Sequence, residues 1–213
     1  MNFLKIKLSI IPKGMIKKFE INGLYYIENI YEYISSVYEE KPEDVIDKLD
    51  KLKWEPITNS INSRMVQHYG YKYNYKNNSV DEKIDELPDF LNIYKRFLTV
   101  ICRQLELIDE SYEFNQCIIN NYLPAQGISK HVDSKSYGKV IGCFTLGSGA
   151  SMVFKNGEEK KEIYLKPNSL YIMSDDARYV WTHEMPSRKS DLVDNNKIKR
   201  DRRVSLTFRN VKL

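Results

Sequence analysis

The chain has 213 residues, of which 42% are hydrophobic and 29% charged, and its formal net charge is +4. These values are typical of globular proteins, so they exclude a fibrous or a wholly disordered chain. No apolar stretch approaches the roughly 20 residues that span a bilayer, and no signal peptide is predicted. Three cysteines without paired spacing favour reduced thiols. We therefore expect an intracellular protein, cytoplasmic or nuclear.

The charge is distributed unevenly along the chain. Residues 184–213 contain nine lysines and arginines against four acidic residues, and residues 1–20 contain five lysines against one glutamate. Two basic ends allow a surface that faces the phosphates of a nucleic acid. A solvated surface explains any single lysine equally well, so charge alone leaves this partner open.

Residues 1–112 are predicted to form a helical and substrate-facing part. The pattern predicts a strand from Leu24 to Ile27, two short helices and a longer amphipathic helix after Pro88. The apolar positions of the two short helices are Ile30, Ile34, Val37, Tyr38, Val45, Ile46, Leu49 and Leu52. Residues 64–75 alternate between aromatic and polar side chains, and residues 76–86 are predicted to form an exposed loop.

Residues 113–213 have the pattern of a β-rich core. Short segments that favour strands are separated by Gly, Asn, Asp and Pro; they are residues 115–122, 138–146, 151–155, 161–165, 168–173, 178–181 and 203–209. This spacing predicts a sandwich or barrel of antiparallel strands, for which a jelly roll is the natural candidate. The predicted fold class is therefore α+β, a single domain over residues 1–213 with helices packed on a jelly-roll core.

Two of the three histidines lie in the β-rich half and suggest a metal site. His131 and Asp133 are two residues apart, so in an extended segment both side chains would project from one face. His183 is the best candidate for a third ligand. Two imidazoles and one carboxylate are the arrangement favoured by non-haem Fe(II) oxygenases. A zinc site would use the same three residues, and the His-x-Asp spacing alone is weak.

The last predicted strand places two arginines on one face. Arg203, Ser205, Thr207 and Arg209 alternate with Val204, Leu206 and Phe208. A buried guanidinium needs a partner, and a small dicarboxylate such as 2-oxoglutarate would provide one through bidentate hydrogen bonds. Internal ion pairs with Asp or Glu are the competing interpretation.

A second alternating segment, residues 116–122, puts Asn120 and Tyr122 on one face. An amide and a phenol there would bind carboxylate oxygens, or would satisfy backbone groups inside the barrel. The residues alone do not separate these two roles.

Together these motifs resemble those of the AlkB-type dioxygenases. The chain has Asn-x-Tyr at Asn120 and Tyr122, His-x-Asp at His131 and Asp133, a distal His183, and two arginines six residues apart at the end, in that family's order. The resemblance is strongest over residues 114–213. It implies a double-stranded β-helix core and use of Fe(II), 2-oxoglutarate and O2.

The resemblance also implies residue roles. His131, Asp133 and His183 would bind iron, whereas the 2-oxoglutarate-binding residues would be Asn120, Tyr122, Arg203 and Arg209. As in similar enzymes, 2-oxoglutarate would be decarboxylated to succinate while a hydroxyl is added to the substrate. The cofactors would perform the difficult oxidation.

Residues 64–75 resemble the substrate lid of this family, particularly in the branch that hydroxylates a modified wobble uridine of transfer RNA. The implied substrate contacts are Arg64, His68, Tyr69, Tyr71, Tyr73 and Arg178. These aromatics would stack on an extruded base, or they would simply pack on the core. A salt bridge with Asp175 or Asp176 is the alternative role for Arg178. Residues 184–202 resemble a long loop of the same branch, suited to phosphate contact.

The sequence thus predicts a dioxygenase that acts on a nucleic-acid base, favouring RNA. The reaction would be wobble-uridine hydroxylation or oxidative demethylation of an alkylated base. Two alternatives remain open: an oxygenase of proteins or lipids on the same core, and a non-catalytic metal-binding interaction module. Neither a membrane nor an obligate protein partner is predicted.

Overall fold

The computed structural model describes residues 11–35 and 41–212 of the chain. The predicted helical positions Val37 and Tyr38 lie outside these residues, as do Lys5 and Lys7 of the basic amino-terminal segment.

The described residues form four α-helices and sixteen β-strands. The helices are α1 (Tyr31–Ser35), α2 (Pro42–Asp50), α3 (Asn92–Gln104) and α4 (Asp175–Tyr179). The strands are β1 (Ile16–Lys18), β2 (Leu24–Ile27), β3 (Glu55–Pro56), β4 (Met65–Tyr69), β5 (Tyr71–Asn74), β6 (Ser79–Lys83), β7 (Gln116–Tyr122), β8 (Ile128–His131), β9 (Tyr137–Gly147), β10 (Ala150–Asn156), β11 (Glu159–Leu165), β12 (Ser169–Met173), β13 (Thr182–Met185), β14 (Ser190–Val193), β15 (Asn196–Lys199) and β16 (Arg203–Val211).

Two antiparallel sheets form the core. The larger has eight strands in the order β1-β2-β12-β9-β16-β7-β4-β3, and the smaller has four in the order β11-β10-β13-β8. Apolar side chains of the two sheets pack together in one buried cluster, which includes Ile141 and Tyr171 of the larger sheet and Met152 and Phe154 of the smaller. The predicted jelly roll is therefore confirmed.

The eight-stranded sheet contains strands from both predicted parts of the chain, residues 1–112 and residues 113–213. Four of its strands, β1 to β4, come from the part predicted to be mainly helical. They extend both edges of the sheet, with β2 beside β12 and β4 beside β7. The amino-terminal part thus widens the β-core as well as covering it.

The outer face of the larger sheet packs on the helices. Val204, Leu206 and Phe208 of β16 lie in one buried cluster with Phe97 and Leu98 of α3. At Gly142 of β9 a Cβ atom would lie 2.3 Å from Leu98 Cδ1, so glycine lets this helix approach the sheet closely. No helix in the described ranges is long and apolar enough to cross a membrane.

Three predicted segments have a different structure. Residues 76–86, predicted as a loop, contain β6, which pairs with β5 in a separate hairpin. Residues 178–181, predicted as a strand, begin inside α4, and the strand follows at Thr182–Met185. Four residues are too few to distinguish the period of a strand from that of a helical turn. In the structure the first two of these residues belong to α4, whose buried side chains are Ala177 and Arg178.

The third difference is the stretch 184–202, predicted as a long loop. It contains the hairpin β14–β15, whose two ends are joined by a buried ion pair. Arg200 donates from Nε to Asp191 Oδ2 at 2.6 Å and from Nη2 to Asp191 Oδ1 at 2.7 Å. This paired geometry is among the strongest that side chains make, and it holds the hairpin in one position.

Truncation of Leu98 tests this packing. Leu98→Ala should lower the free energy of unfolding by about 2–5 kcal/mol, because a buried cavity replaces the contact with Gly142. Leu192→Ala is the matched control, since Leu192 is 66% exposed; its effect should stay within about 0.5 kcal/mol. Urea unfolding followed by circular dichroism measures both, and equal losses would contradict the packing described.

Candidate active site

His131, Asp133 and His183 meet at one end of the smaller sheet. His131 ends β8 and lies directly across from His183 of the neighbouring strand β13. Asp133 follows in the turn after β8, so the two residues do not share one extended strand as predicted. One ligand atom from each residue lies within 4.8 Å of the other two. The three side chains are therefore close enough to hold a single ion.

The two imidazoles are arranged to offer lone pairs. His131 Nδ1 lies 2.7 Å from the carbonyl oxygen of Ser129, to which it donates in the tautomer that leaves Nε2 unprotonated. Burial, and to a smaller extent the neighbouring His183, lowers the pKa of His131 to about 4. The His131 ring is therefore neutral at neutral pH, as a metal ligand must be.

Asp133 presents one free oxygen towards the histidines. Its Oδ1 accepts a hydrogen bond from Arg209 Nε at 2.9 Å, and Arg209 Nη2 lies 2.7 Å from the same oxygen in a salt bridge. Burial raises the pKa of Asp133, but the Arg209 charge and the adjacent His183 imidazole outweigh it and hold that pKa well below its ordinary range. Asp133 Oδ2 lies 3.4 Å from His183 Nε2 and, within the described part of the chain, has no hydrogen-bond partner. A cation fits this buried, negatively charged oxygen.

A second group of polar side chains lines the inner face of the larger sheet. Arg203 and Arg209 point between the sheets as predicted, and Arg203 Nη2 donates to Thr145 Oγ1 at 2.9 Å. The Arg203 guanidinium lies 5.5 Å from the centroid of the Tyr122 ring. Arg203 Nε and Arg209 Nη1 are buried without a hydrogen-bond partner among the described residues. Buried cationic donors of this kind fit an anion such as a dicarboxylate.

A cavity of about 580 Å³ opens onto His131 and Asp133, two of the three clustered residues. Its wall contains three basic residues, Arg64, Lys130 and Arg209, whereas Asp133 is the one carboxylate of the described lining. Tyr73, Tyr75 and Tyr137 add aromatic surface, with Tyr73 and Tyr75 edge to face at 4.9 Å. The cavity thus combines positive charge with stacking surface beside the cluster.

The family model of the 2OG-Fe(II) oxygenase superfamily matches residues 25–209. The chain belongs to this superfamily. This oxygenase is therefore an enzyme, a dioxygenase that uses Fe(II), 2-oxoglutarate and O2. The match runs from β2 into β16, so it includes all three clustered residues and both arginines.

Individual relatives support the same family. An uncharacterised protein of Acanthamoeba polyphaga mimivirus is 35% identical, and the match covers 92% of this chain and 91% of that protein. The tRNA (carboxymethyluridine(34)-5-O)-methyltransferase alkbh8 of Xenopus tropicalis is also 35% identical, but the match covers 80% of this chain and 30% of that protein. The predicted resemblance to AlkB-type enzymes is confirmed.

Solved structures support the fold. The structure of OsALKBH1 superposes with a TM-score of 0.64 at 15% identity, covering 92% of this chain and 99% of that chain. A Pseudomonas putida prolyl-4-hydroxylase superposes with a TM-score of 0.54 at 13% identity, covering 90% and 94%. At sequence identities this low, the superpositions show a shared fold and nothing about a shared activity.

The oxygenase brings some predicted substrate contacts to the cavity and not others. Arg64 and Tyr73 line it. Tyr69 instead donates its hydroxyl to Gln67 Oε1 and packs on the helical core, and Tyr71 packs beside Val80. His68 lies behind the wall, where its Nδ1 accepts the backbone N–H of Tyr73. Because β4 and β5 belong to different sheets, a single alternating face does not continue through the segment.

Arg178 also differs from the prediction. It is 2% exposed and donates to backbone carbonyls of residues 133–138, so its guanidinium does not face the cavity. The role of Arg178 as a substrate contact therefore stays a prediction that this geometry does not support. The alternative salt bridge with Asp175 or Asp176 is likewise not formed.

Two aromatic residues of the cavity, Tyr75 and Tyr137, were not among the predicted substrate contacts. Tyr75 would have followed from extending the aromatic alternation two residues past Tyr73. Tyr137 has no sequence signal beyond its position four residues after Asp133. It faces the cavity because it begins β9, where Arg209 lies 4.7 Å from its ring centroid.

The burial of His68 predicts a pH dependence. Burial, then the charges of Lys72 and Arg209, lowers its pKa from 6.5 to about 4. The unfolded chain therefore binds this proton first, and the free energy of unfolding should fall as the pH drops from about 6.5 to about 4. Nuclear magnetic resonance of the His68 ring should give a midpoint near 4. His68→Gln should flatten the stability profile; a midpoint near 6.5 would contradict the burial effect.

Proposed function

We propose that this oxygenase oxidises a base in RNA, with iron bound by His131, Asp133 and His183. The observation that carries the proposal is the cavity beside these residues, which is basic and aromatic. A base provides a π-face for stacking, and its backbone provides negative charge for the basic wall.

The metal site is proposed from the donor set. Neutral His131 would ligate through Nε2 and ionised Asp133 through Oδ2, with His183 completing the set. Two imidazoles and one carboxylate on one side of an ion are typical of non-haem Fe(II) oxygenases. When bound, iron, 2-oxoglutarate and O2 supply the oxidising chemistry.

The chain's own residues would bind and orient the cosubstrate. Arg203 lies deep between the sheets, where a distal carboxylate would meet Nε and the nearby hydroxyl of Thr145. Arg209 bonds Asp133 and retains one unpaired nitrogen, which would face the other end of the cosubstrate. Asn120 and Tyr122 complete the proposed site; Asn120 Oδ1 accepts from Arg64 Nε at 3.0 Å, which joins the cosubstrate side to the cavity wall.

The cavity wall would hold an extruded base. Tyr73 and Tyr75 come from the segment around the hairpin β5–β6, and Tyr137 comes from the start of β9, with its ring centroid 6.2 Å from that of Tyr73. Stacking on aromatic side chains contributes about 1–3 kcal/mol per base. Unpairing costs a few kcal/mol in a duplex and least in an unpaired loop, which favours a single-stranded RNA target.

The names of the relatives favour transfer RNA within this class. The alkbh8 proteins of Xenopus tropicalis and Mus musculus are named for action on carboxymethyluridine 34 of tRNA, and this chain spans about a third of their length. An Arabidopsis thaliana relative, 31% identical, is named an alkylated DNA repair protein. We therefore propose wobble-uridine hydroxylation, with oxidative demethylation as the second reaction to test.

Separate variants test the assigned roles. Mn(II) serves as the probe for the proposed iron site. Arg203→Ala should weaken 2-oxoglutarate binding by about a hundredfold, because losing a buried charged pair costs about 2–5 kcal/mol. The same variant should bind Mn(II) as the wild-type protein does. His131→Ala should weaken Mn(II) binding itself. Arg202→Ala is the control, because Arg202 pairs with Asp50 outside the site. Calorimetric titration measures both ligands, and equal effects of the first two variants would contradict the roles.

The substrate proposal is tested by mass spectrometry of nucleosides. Total transfer RNA and methylated oligonucleotides are incubated with enzyme, Fe(II), 2-oxoglutarate and O2, and succinate is measured. A C-hydroxylated uridine keeps the added oxygen, whereas an N-methyl group is lost as formaldehyde. Tyr75→Ala should lower RNA-stimulated succinate formation by about tenfold, and the control Tyr31→Ala, on α1 outside the cavity lining, should not.

Other outcomes of that experiment are informative. Failure of every RNA and DNA to stimulate succinate formation, in an enzyme that still binds 2-oxoglutarate and Mn(II), would reject the nucleic-acid proposal. A protein or lipid substrate would then replace it.

A further inference from the structure

Arg178, like Arg203, is a buried guanidinium without a carboxylate in salt-bridge distance among the described residues. Arg178 differs from Arg203 because all three of its guanidinium nitrogens donate to backbone carbonyls. Its Nε donates to the carbonyl of Gly138 at 3.2 Å and its Nη1 to that of Asp133 at 3.1 Å. Its Nη2 donates to the carbonyls of Ser134 at 2.7 Å and Tyr137 at 3.2 Å. One side chain thus binds four carbonyls of a six-residue turn.

This arrangement costs free energy, so we looked for the feature of the fold or the site that it fixes. Removing a charge from water costs several kcal/mol. Here four carbonyl dipoles and the face of the Tyr179 ring, whose centroid lies 4.8 Å from the guanidinium carbon, compensate it without a counter-charge. Hydrophobic packing would close the same space more cheaply. The planar fork of arginine, however, fixes several acceptors at once, which no apolar side chain and no lysine can do.

The turn that Arg178 binds contains two residues of the active site. Asp133 at its start is a proposed iron ligand, and Tyr137 at its end forms the cavity wall. Arg209 fixes the side chain of Asp133 through Oδ1, and Arg178 fixes its main chain through the carbonyl oxygen. Asp133 is therefore held through both its side chain and its main chain.

We propose that Arg178 is a positioning residue that sets the turn 133–138 in its metal-binding conformation before the metal binds. This inference rests on the proposed iron site. α4, which carries Arg178, is itself tied to the strand region by the N–H of Ala177, which donates to the carbonyl of Asn22. The turn is consequently held in a fixed position relative to the larger sheet. Oδ2 of Asp133 therefore stays directed at the two histidines.

Conservative replacement tests the proposal. Arg178→Lys keeps the charge but cannot reach four carbonyls, so Mn(II) affinity should fall by about tenfold or more, the effect typical of residues that orient ligands. Arg200→Lys is the matched control, because Arg200 is also buried and multiply hydrogen-bonded but lies at the β14–β15 hairpin. Electron paramagnetic resonance of free Mn(II), well below each variant's Tm, gives the affinities.

The two variants separate positioning from general stability. Loss of affinity in Arg178→Lys with an unchanged Arg200→Lys supports the proposal. Wild-type affinity in a folded Arg178→Lys protein overturns it, as does an equal loss in both variants. If the wild-type protein itself binds no Mn(II), the proposed iron site has failed instead, and the two failures are thereby distinguished.

Hydrogen exchange of the wild-type protein decides the matter if Arg178→Lys does not fold. The amide of Tyr137 donates to the carbonyl of Ser134, which also accepts from Arg178. In metal-free protein this amide should be protected about as well as that of Phe144 in the same strand, and Mn(II) should change it little. Protection that appears only after Mn(II) is added would show that the metal orders the turn and would overturn the proposal.

Discussion

The buried ion pair between Arg209 and Asp133 is the interaction on which the site depends. It joins the last strand of the larger sheet to the turn that follows β8, and so connects the two sheets at the point where the histidines meet. The Arg209 charge keeps Asp133 ionised in spite of burial, and geometry leaves Oδ2 free. A buried pair of this kind is expensive to desolvate, so its value lies in specifying one arrangement rather than in stability.

The same strand separates chemistry from packing. On β16 one face carries Arg203 and Arg209 into the space between the sheets, while the other carries Leu206 and Phe208 onto α3. A strand that alternates in this way holds cationic side chains at fixed spacing against a rigid apolar layer. The helices therefore contribute to the site indirectly, by burying the outer face of the sheet that aims the arginines inward.

The proposed substrate cavity is built from both halves of the chain. The cavity wall combines Arg64 and Tyr73 from the amino-terminal part with Lys130 and Tyr137 from the β-rich core. Tyr75 contacts both His68 and Tyr73 edge to face, so the wall is supported from behind by a neutral, buried imidazole. The proposed substrate side thus joins a segment around β5–β6 to residues of the β-core that also carries the metal cluster.

The sequence by itself determined the elements with a long, regular period and the residues whose chemistry is uncommon: α3, β7, β9 and β16, and the set His131, Asp133, His183, Arg203 and Arg209. Their side-chain directions follow from local geometry, because a strand alternates and a helix repeats wherever it lies. Only the tertiary structure decided that residues 178–181 begin in a helix and that Arg178 donates to the backbone carbonyls of a turn. It also decided that Tyr75 and Tyr137 line the cavity whereas Tyr69 and Tyr71 do not. Those outcomes depend on which distant strand or turn lies opposite each residue, and contacts between segments far apart in the chain leave no periodic signal in either one.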